Sequence, residues 1–319
     1  MRGVVIGKGS IGIRHSGLLR TLFPEAEHSH IGSRDFDAQL KEFSDGEILP
    51  TPMVDADFVI VASPSTRHLD HVTESIRRGL PVLVEKPLTS RLQDAKQLVT
   101  VAKNADAFMQ VGFVLRFSDG YEAVKDSVMC RGIEGIEYVT ITAHSYLPNW
   151  RPGTDFREGV SARADLGGGV LREVSHELDY AIAILGPLRV LSANLTSSPN
   201  ISLDVDTGAV IHAVTESEAK VTISLDMANP ALERSCEIIW RNGERLRWDL
   251  AENSLSIQDS SGVTNHRRFS DSRDHWYEAQ LLAFLRAIDG KSTPSPSIDD
   301  GLLVMECIDT IETIAGGQE

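Results

Sequence analysis

The chain has few cysteines, no excess of positive charge and no long apolar run. Its three cysteines, Cys130, Cys236 and Cys307, are scattered over 319 residues. An odd, widely spaced set excludes a disulfide framework and lacks metal-ligand spacing, so a reducing, cytoplasmic setting is expected. The formal net charge is −15. Residues 1–118 hold 14 basic and 14 acidic side chains, so the whole surplus lies beyond them. Without a basic footprint, nucleic acid is not the expected partner. No stretch approaches the ~20 apolar residues needed to cross a bilayer, so no membrane association is expected. Met1-Arg2-Gly3 runs directly into an apolar strand pattern, so a cleavable leader is not expected either. The length favours two domains over one core.

What is present begins with glycine. "MRGVVIGKGSIGIRHSGLL" places Gly7, Gly9 and Gly12 directly after the short apolar run Val4-Val5-Ile6. A strand, a tight turn at Gly7 and a helix from Ile11 to Leu22 would leave unpaired N–H groups at Ser10 and Ile11 for a pyrophosphate. Gly9 would admit the ligand and Gly12 would let helix and strand pack closely. The competing reading is a glycine turn without a ligand.

Apolar runs at 28–33, 56–63, 80–87 and 107–113 continue the strand pattern. Between them, 67–79 and 90–105 repeat apolar residues at helical spacing. Strands alternating with amphipathic helices predict a doubly wound parallel sheet, a Rossmann domain over 1–118. From 119 the texture changes. A helix (120–130) leads to a strand (134–147) and an irregular stretch to Asp165. A helix over 167–186 follows, opened by three glycines, and then strands at 188–197, 205–214, 219–227 and 234–240. Asn242-Gly243 marks a hairpin. The prediction for 119–319 is an α/β domain with a large, open, mostly antiparallel sheet, used for substrate binding and oligomerisation. Helices at 275–290 and 300–315 close the chain. Asp299 is the expected cap of the last helix, which is expected to pack back on the first domain.

"GKGSIGIRH", "VEKPL" (84–88), "GFVLRF" (112–117), "GGGVLREVSHELDY" (167–180) and "SIDDGLLVMECI" (297–308) occur in that order. Together they make the chain resemble the Gfo/Idh/MocA oxidoreductases, named for glucose–fructose oxidoreductase, inositol dehydrogenase and a rhizopine-catabolism protein. The resemblance spans essentially the whole chain. It implies NAD(P)-dependent hydride transfer at a sugar or cyclitol carbon, in a homodimer or homotetramer joined through the second-domain sheet. "YLPNWRPGTDFREGVSAR" (146–163) is similar to members tied to surface-polysaccharide sugars, which implies an activated or acidic sugar.

Lys86 stands at the carboxyl end of a parallel strand, where ligands bind in such sheets. A lysine there can meet a developing alkoxide or help move its proton. The resemblance assigns it that catalytic role and makes Glu85 an orienting or cofactor-contacting residue. His176 is the second catalytic candidate, with Glu173 and Asp179 on the same helical side as acidic partners. Relatives carry an aspartate four residues before this histidine; here that position is Arg172. No metal is expected. Ser33 and Arg34 follow the second strand where an NAD enzyme often has an acid, and Asp35 comes next. Serine and arginine suit a 2′-phosphate, so NADP is slightly preferred over NAD. Ser63, at the end of the third strand, completes the expected cofactor residues. Arg151, Arg157 and Arg163 either receive an anionic substrate or form surface ion pairs with Asp155, Glu158 and Asp165, and Trp150 and Phe156 are candidates to stack on the substrate's ring. Arg116 either touches substrate or pins structure. The alternatives to an oxidoreductase are a non-catalytic dinucleotide-binding regulator and an NAD-dependent glycoside hydrolase. Net change in nicotinamide absorbance separates the first reading from both.

Overall fold

Four short runs, VVI, FVIV, VLV and the residues around Val111, have no side exposed to water. That is the signature of a parallel sheet covered on both faces. A computed structural model describes residues 1–44, 53 and 55–317, and the chain divides into two compact units. The first takes Met1–Phe113 together with Tyr277–Met305, and the second takes Val114–Trp276 and Glu306–Glu319. The sequence boundary was expected at 118.

The first unit runs β1 (Arg2–Ile6), α1 (Ser10–Leu22), β2 (Glu27–Ile31), α2 (Ser33–Ser44), β3 (Phe58–Val61), α3 (His68–Arg77), β4 (Val82–Glu85), α4 (Leu92–Asn104) and β5 (Met109–Gly112). Its strands pair in parallel in the order β2-β1-β3-β4-β5. The direction of winding reverses between β1 and β3, which is where such sheets bind ligands.

The second unit begins with α5 (Asp119–Arg131), capped by Ser118, whose Oγ accepts from the Tyr121 N–H. It continues with β6 (Ile136–Tyr146), a run of short 3-10 turns, α6 (Val170–Glu173) and α7 (His176–Leu185). Then come β7 (Arg189–Thr196), β8 (Gly208–Val214), β9 (Lys220–Asp226), β10 (Ala228–Trp240), β11 (Arg245–Asp249), β12 (Ser254–Gln258) and β13 (Thr264–Arg268). The sheet order is β13-β12-β11-β10-β6-β9-β8-β7. Only the β6–β9 pairing within it is parallel among the described residues. One face is apolar, with Val139, Ile141, Ile211, Val221, Ile223 and Ile238 all buried. The alternate positions Tyr138, Val210 and His212 are exposed. The expected hairpin at Asn242-Gly243 joins β10 to β11. β12 and β13 were not anticipated: every residue of Thr264–Arg268 is exposed, so no apolar alternation marks that strand.

The last helices are α8 (Arg273–Ile288) and α9 (Ile298–Gly316). Leu281 and Phe284 of α8 join Val5, Leu19, Phe58, Ile60 and Leu83 in the core of the first unit. The cap of α9 is not Asp299. Ser297 Oγ accepts from the Asp300 N–H at 3.2 Å while Asp300 Oδ2 accepts from the Ser297 N–H at 2.7 Å, a reciprocal cap. Asp299 instead pairs with Lys103 at 2.8 Å. Among the described residues no helix is long and apolar enough to cross a membrane.

Candidate active site

The three glycines of the first turn have different surroundings. Gly7 has φ +114°, and a Cβ there would lie 2.2 Å from the Ala62 carbonyl oxygen. A Cβ on Gly12 would lie 1.7 Å from the Gly7 carbonyl oxygen. Both positions are therefore closed to any side chain by the protein's own backbone. A Cβ on Gly9 would meet nothing within 4 Å. Gly9 is the N-cap of α1, with no side-chain cap and no acidic residue in the first turn. Exposed Ser10 and half-buried Ile11 follow it. An uncapped helix start beside open space fits an anionic pyrophosphate. The turn is braced from below by His30, whose Nε2 lies 2.8 Å from the Gly7 carbonyl oxygen.

Ser33 opens α2, and Arg34 is exposed on its first turn. Asp35 turns back toward the glycine turn: its Oδ2 is 3.8 Å from Lys8 Nζ and would be 2.7 Å from a Cβ on Gly32.

Lys86 directly follows β4 and is half-buried, and the Lys86–Pro87 peptide is cis. Its neighbours are fixed from two sides. Glu85 is 6 % exposed, and its Oε1 is 2.7 Å from Nε2 of fully buried His15 on α1. A Cβ on Gly112, its partner across the sheet, would lie 2.9 Å from the Glu85 carboxylate. Glu85 thus ties β4 to the helix that carries the glycine turn. On the other side, His68 Nδ1 lies 3.1 Å and 3.2 Å from the Pro87 and Leu88 carbonyl oxygens, while its Nε2 lies 2.9 Å from the Ser63 carbonyl oxygen. Burial lowers the His68 pKa, with its carbonyl neighbours pulling the other way. The Ser63 hydroxyl is 3.0 Å from His71 Nδ1, and His71 Nε2 is 2.8 Å from Asp37 Oδ1. Burial lowers the His71 pKa as well, against the Asp37 carboxylate. His71 therefore donates to Asp37 and accepts from Ser63, which commits the Ser63 hydroxyl inward. The sequence reading missed His15, His68, His71 and Asp37. The available signal was two histidines three residues apart in "STRHLDH", directly after a strand.

In the second unit the predicted helix 167–186 is broken at Val174–Ser175. Glu173 belongs to the short α6, and His176 and Asp179 belong to α7, so the shared helical side drawn through all three does not hold. The start of α6 is fixed by Asp206, which sequence reading did not single out. Its Oδ2 accepts from the Val170 N–H at 2.9 Å, and a Cβ on Gly169, at φ +107°, would lie 2.7 Å from its Oδ1. Burial raises the Asp206 pKa. A Cβ on Gly168 would lie 2.4 Å from the Val160 carbonyl oxygen. The glycine run is thus already required by the chain's own packing.

His176 is half-buried at the start of α7. Asp179 is fully buried against Arg116, whose Nη2 lies 2.6 Å from Oδ1 and whose Nε lies 3.0 Å from Oδ2. Arg116 is 12 % exposed, so this pair is a fork in a dry site, consistent with the pinning reading. Arg172 forks onto Glu312 at 2.5 Å and 3.1 Å. Arg163 pairs with Asp165, and Arg157 pairs with Asp155 and lies 4.6 Å above the Phe156 ring. Those two arginines take the surface-pair reading. Arg151 is half-buried and makes no ion pair among the described residues. Trp150 Nε1 donates to Ser145 Oγ at 3.1 Å. Among the described residues no three His, Cys, Asp or Glu side chains are grouped to hold a metal ion.

A doubly wound parallel sheet whose first turn stands open at Gly9, followed by a unit with a large mixed sheet, is the architecture of a dinucleotide-binding oxidoreductase. Comparison with known proteins gives the particular family. Residues 1–113 match the family described as "Oxidoreductase family, NAD-binding Rossmann fold". Over that segment, the first unit's Met1–Phe113, the chain resembles the Gfo/Idh/MocA oxidoreductases. It is 24 % identical over 327 residues to myo-inositol 2-dehydrogenase of Thermotoga maritima, covering 96 % of this chain and 93 % of that one. Its fold is shared with an inositol dehydrogenase homolog complexed with NAD+ from Azotobacter vinelandii (TM-score 0.80, 17 % identity, 99 % and 95 % of the two chains). It is shared equally with the WlbA dehydrogenase of Bordetella pertussis in complex with NADH and UDP-GlcNAcA (TM-score 0.79, 20 % identity, 100 % and 97 % of the two chains).

Proposed function

We propose that this protein is an NAD(P)-dependent oxidoreductase acting on a hydroxyl or keto carbon of a sugar or sugar derivative. The observation that carries it is the pairing, within one sheet, of an open glycine turn at Gly9 with Lys86 at the end of β4. The backbone N–H groups after Gly9 hold the dinucleotide phosphates, and Arg34 receives a 2′-phosphate, which gives NADP the preference. When bound, the nicotinamide ring supplies the carbon that accepts or returns a hydride. Lys86 donates to the substrate oxygen as charge develops on it. His176, in the second unit, is the candidate for moving the reaction's proton. Asp179 fixes Arg116, and Glu173 orients groups near the start of α7.

Support for an activated or acidic sugar comes from Arg151, a half-buried residue with no acidic partner among the described residues. It comes also from proteins of the same fold, the UDP-N-acetylglucosamine 3-dehydrogenase of Acidithiobacillus ferrooxidans and the WlbA dehydrogenase in complex with UDP-GlcNAcA. Association as a homodimer or homotetramer would use the exposed sheet face around Tyr138, Leu191 and Val210. All three cysteines are unpaired, which suits the cytoplasm. The test is absorbance of the reduced nicotinamide during incubation with neutral sugars, cyclitols and nucleotide-linked sugar acids, with NAD and NADP in parallel. Stoichiometric change with one of them is expected. Binding of both cofactors without any change across all three substrate classes would favour the regulatory reading, and glycoside cleavage without net change the hydrolase.

A further inference from the structure

Lys86 does its proposed work only if its backbone is held still, and the loop that holds it leaves the sheet at once. The segment after β4 has left the ladder, so the Pro87 and Leu88 carbonyls need a donor from elsewhere. His68 supplies it. The ring is 1 % exposed and its Nδ1 lies within hydrogen-bond distance of both oxygens. Its far nitrogen meets the Ser63 carbonyl oxygen, and the Ser63 backbone nitrogen would lie 2.7 Å from a Cβ on Gly7. One imidazole therefore lies between the segment after β4 and the segment after β3, and the latter packs closely on the glycine turn after β1.

All three atoms facing the ring are carbonyl oxygens, which only accept. A neutral imidazole has a single N–H, and burial favours the neutral form. Nδ1 faces two oxygens and Nε2 faces one. A bare lone pair set against two carbonyl oxygens is worse than one set against a single oxygen, so the proton belongs on Nδ1, toward Pro87 and Leu88. His71, on the same helix, is turned to Asp37 and the Ser63 hydroxyl and leaves His68 to this task.

We propose that His68 is a positioning residue for the hydride-transfer site: its Nδ1–H clamps the Pro87 and Leu88 carbonyls and thereby fixes where Lys86 presents its amine. The proposal rests on the reading of Lys86 as the donor to the reacting oxygen. Its consequence is chemical and directional. Asparagine places a side-chain N–H where Nδ1 stands, whereas glutamine places one where Nε2 stands. His68→Asn should therefore preserve the clamp, and His68→Gln should lose it while keeping the contact to Ser63.

The experiment follows Lys86 itself. The protein and its His68→Asn, His68→Gln and His68→Ala forms are reductively methylated with 13C-formaldehyde, and the Lys86 dimethylamine resonance is assigned by its disappearance in Lys86→Arg. Folding is checked by circular dichroism, and NADH affinity by fluorescence titration. The expected result is a displaced Lys86 resonance in His68→Gln, a wild-type position in His68→Asn, and NADH affinity within about twofold in both. His68→Ala, where it folds, should match His68→Gln; where it does not, the Asn and Gln forms carry the test. With a sugar that the wild type turns over, His68→Gln should lose about tenfold or more in kcat with KM little changed, the mark of a misplaced reacting group. Equal resonances in all forms, or equal displacement in Asn and Gln, overturns the proposal. A tenfold loss of NADH affinity with Lys86 unmoved also overturns it, since the clamp would then serve the cofactor. Absence of any turnover in the wild type would defeat the proposed function but leave the resonance to decide the role of His68.

Discussion

Lys86 and Arg151 are the two side chains on which the functional reading leans most. Lys86→Ala should lower kcat by about 10²-fold or more, the usual scale for a positioned proton donor. NADH affinity should stay within about twofold, because the glycine turn holds the phosphates. His176→Ala should lower kcat likewise and remove one limb of the pH profile. Near wild-type kcat in both would remove them from the reaction. Arg151→Ala should raise KM for a nucleotide-linked sugar acid by about tenfold, the loss of one charged hydrogen bond. It should leave KM for a neutral sugar almost unchanged. Arg157→Ala should change neither, because its guanidinium is already spent on Asp155 and Phe156; steady-state kinetics on both substrates decides. At this scale sequence singled out the residues with a motif, Lys86 and His176, whose roles these variants test. It was silent about Asp206, His68 and His71, because a buried polar side chain has no meaning in sequence until the carbonyl or N–H that it satisfies is known.

The first turn, between β1 and α1, separates two uses of glycine that look alike in sequence. Gly12→Ala sets a methyl 1.7 Å from the Gly7 carbonyl oxygen, which forces helix from strand and should cost about 3 kcal/mol or more. Gly9→Ala has φ −73° and open space around it. Its folding stability should change by less than about 0.5 kcal/mol, while NADH binding weakens about tenfold or more because the new methyl stands where the phosphates approach. Denaturant melts and fluorescence titration read the two separately. Loss of stability without loss of binding at Gly9 would contradict the phosphate reading. The parallel strands were legible because their apolar runs are dictated by burial on both faces. The break between α6 and α7 was not. "VLREVSHELDY" keeps helical spacing across Val174, so nothing in the pattern marks the turn that separates α6 from α7. β13 was illegible for the opposite reason: an exposed edge strand needs no apolar pattern.

For the whole molecule, the two-unit architecture could be read from the change of texture near 118, and the last helix was expected to return to the first unit, but the return of α8 could not be read. Sequence order places α8 at the far end of the chain, and nothing in its composition says which core receives Leu281 and Phe284. Each fully buried leucine or phenylalanine is worth about 1.5–3 kcal/mol, and both side chains are at 0 % exposure in the cluster with Phe58 and Ile60. A chain ending at residue 272 should therefore lose NADH binding even though every residue of the glycine turn and of β4 remains. Fluorescence titration of that truncation against the full chain measures it, and a truncation that binds NADH normally would show the parallel sheet to be self-sufficient. The same discontinuity imposes an order of events during synthesis. At 5–20 residues per second, the ribosome takes roughly ten to forty seconds to pass from the end of β5 to the end of the returning segment. Throughout that interval the sheet exists without its late helix, its Phe58 side bare, while the second unit is being made. The nucleotide pocket is the earliest part of the protein to be translated and among the last to be finished, so chaperone engagement should centre on the nascent first unit rather than on the larger sheet that follows it.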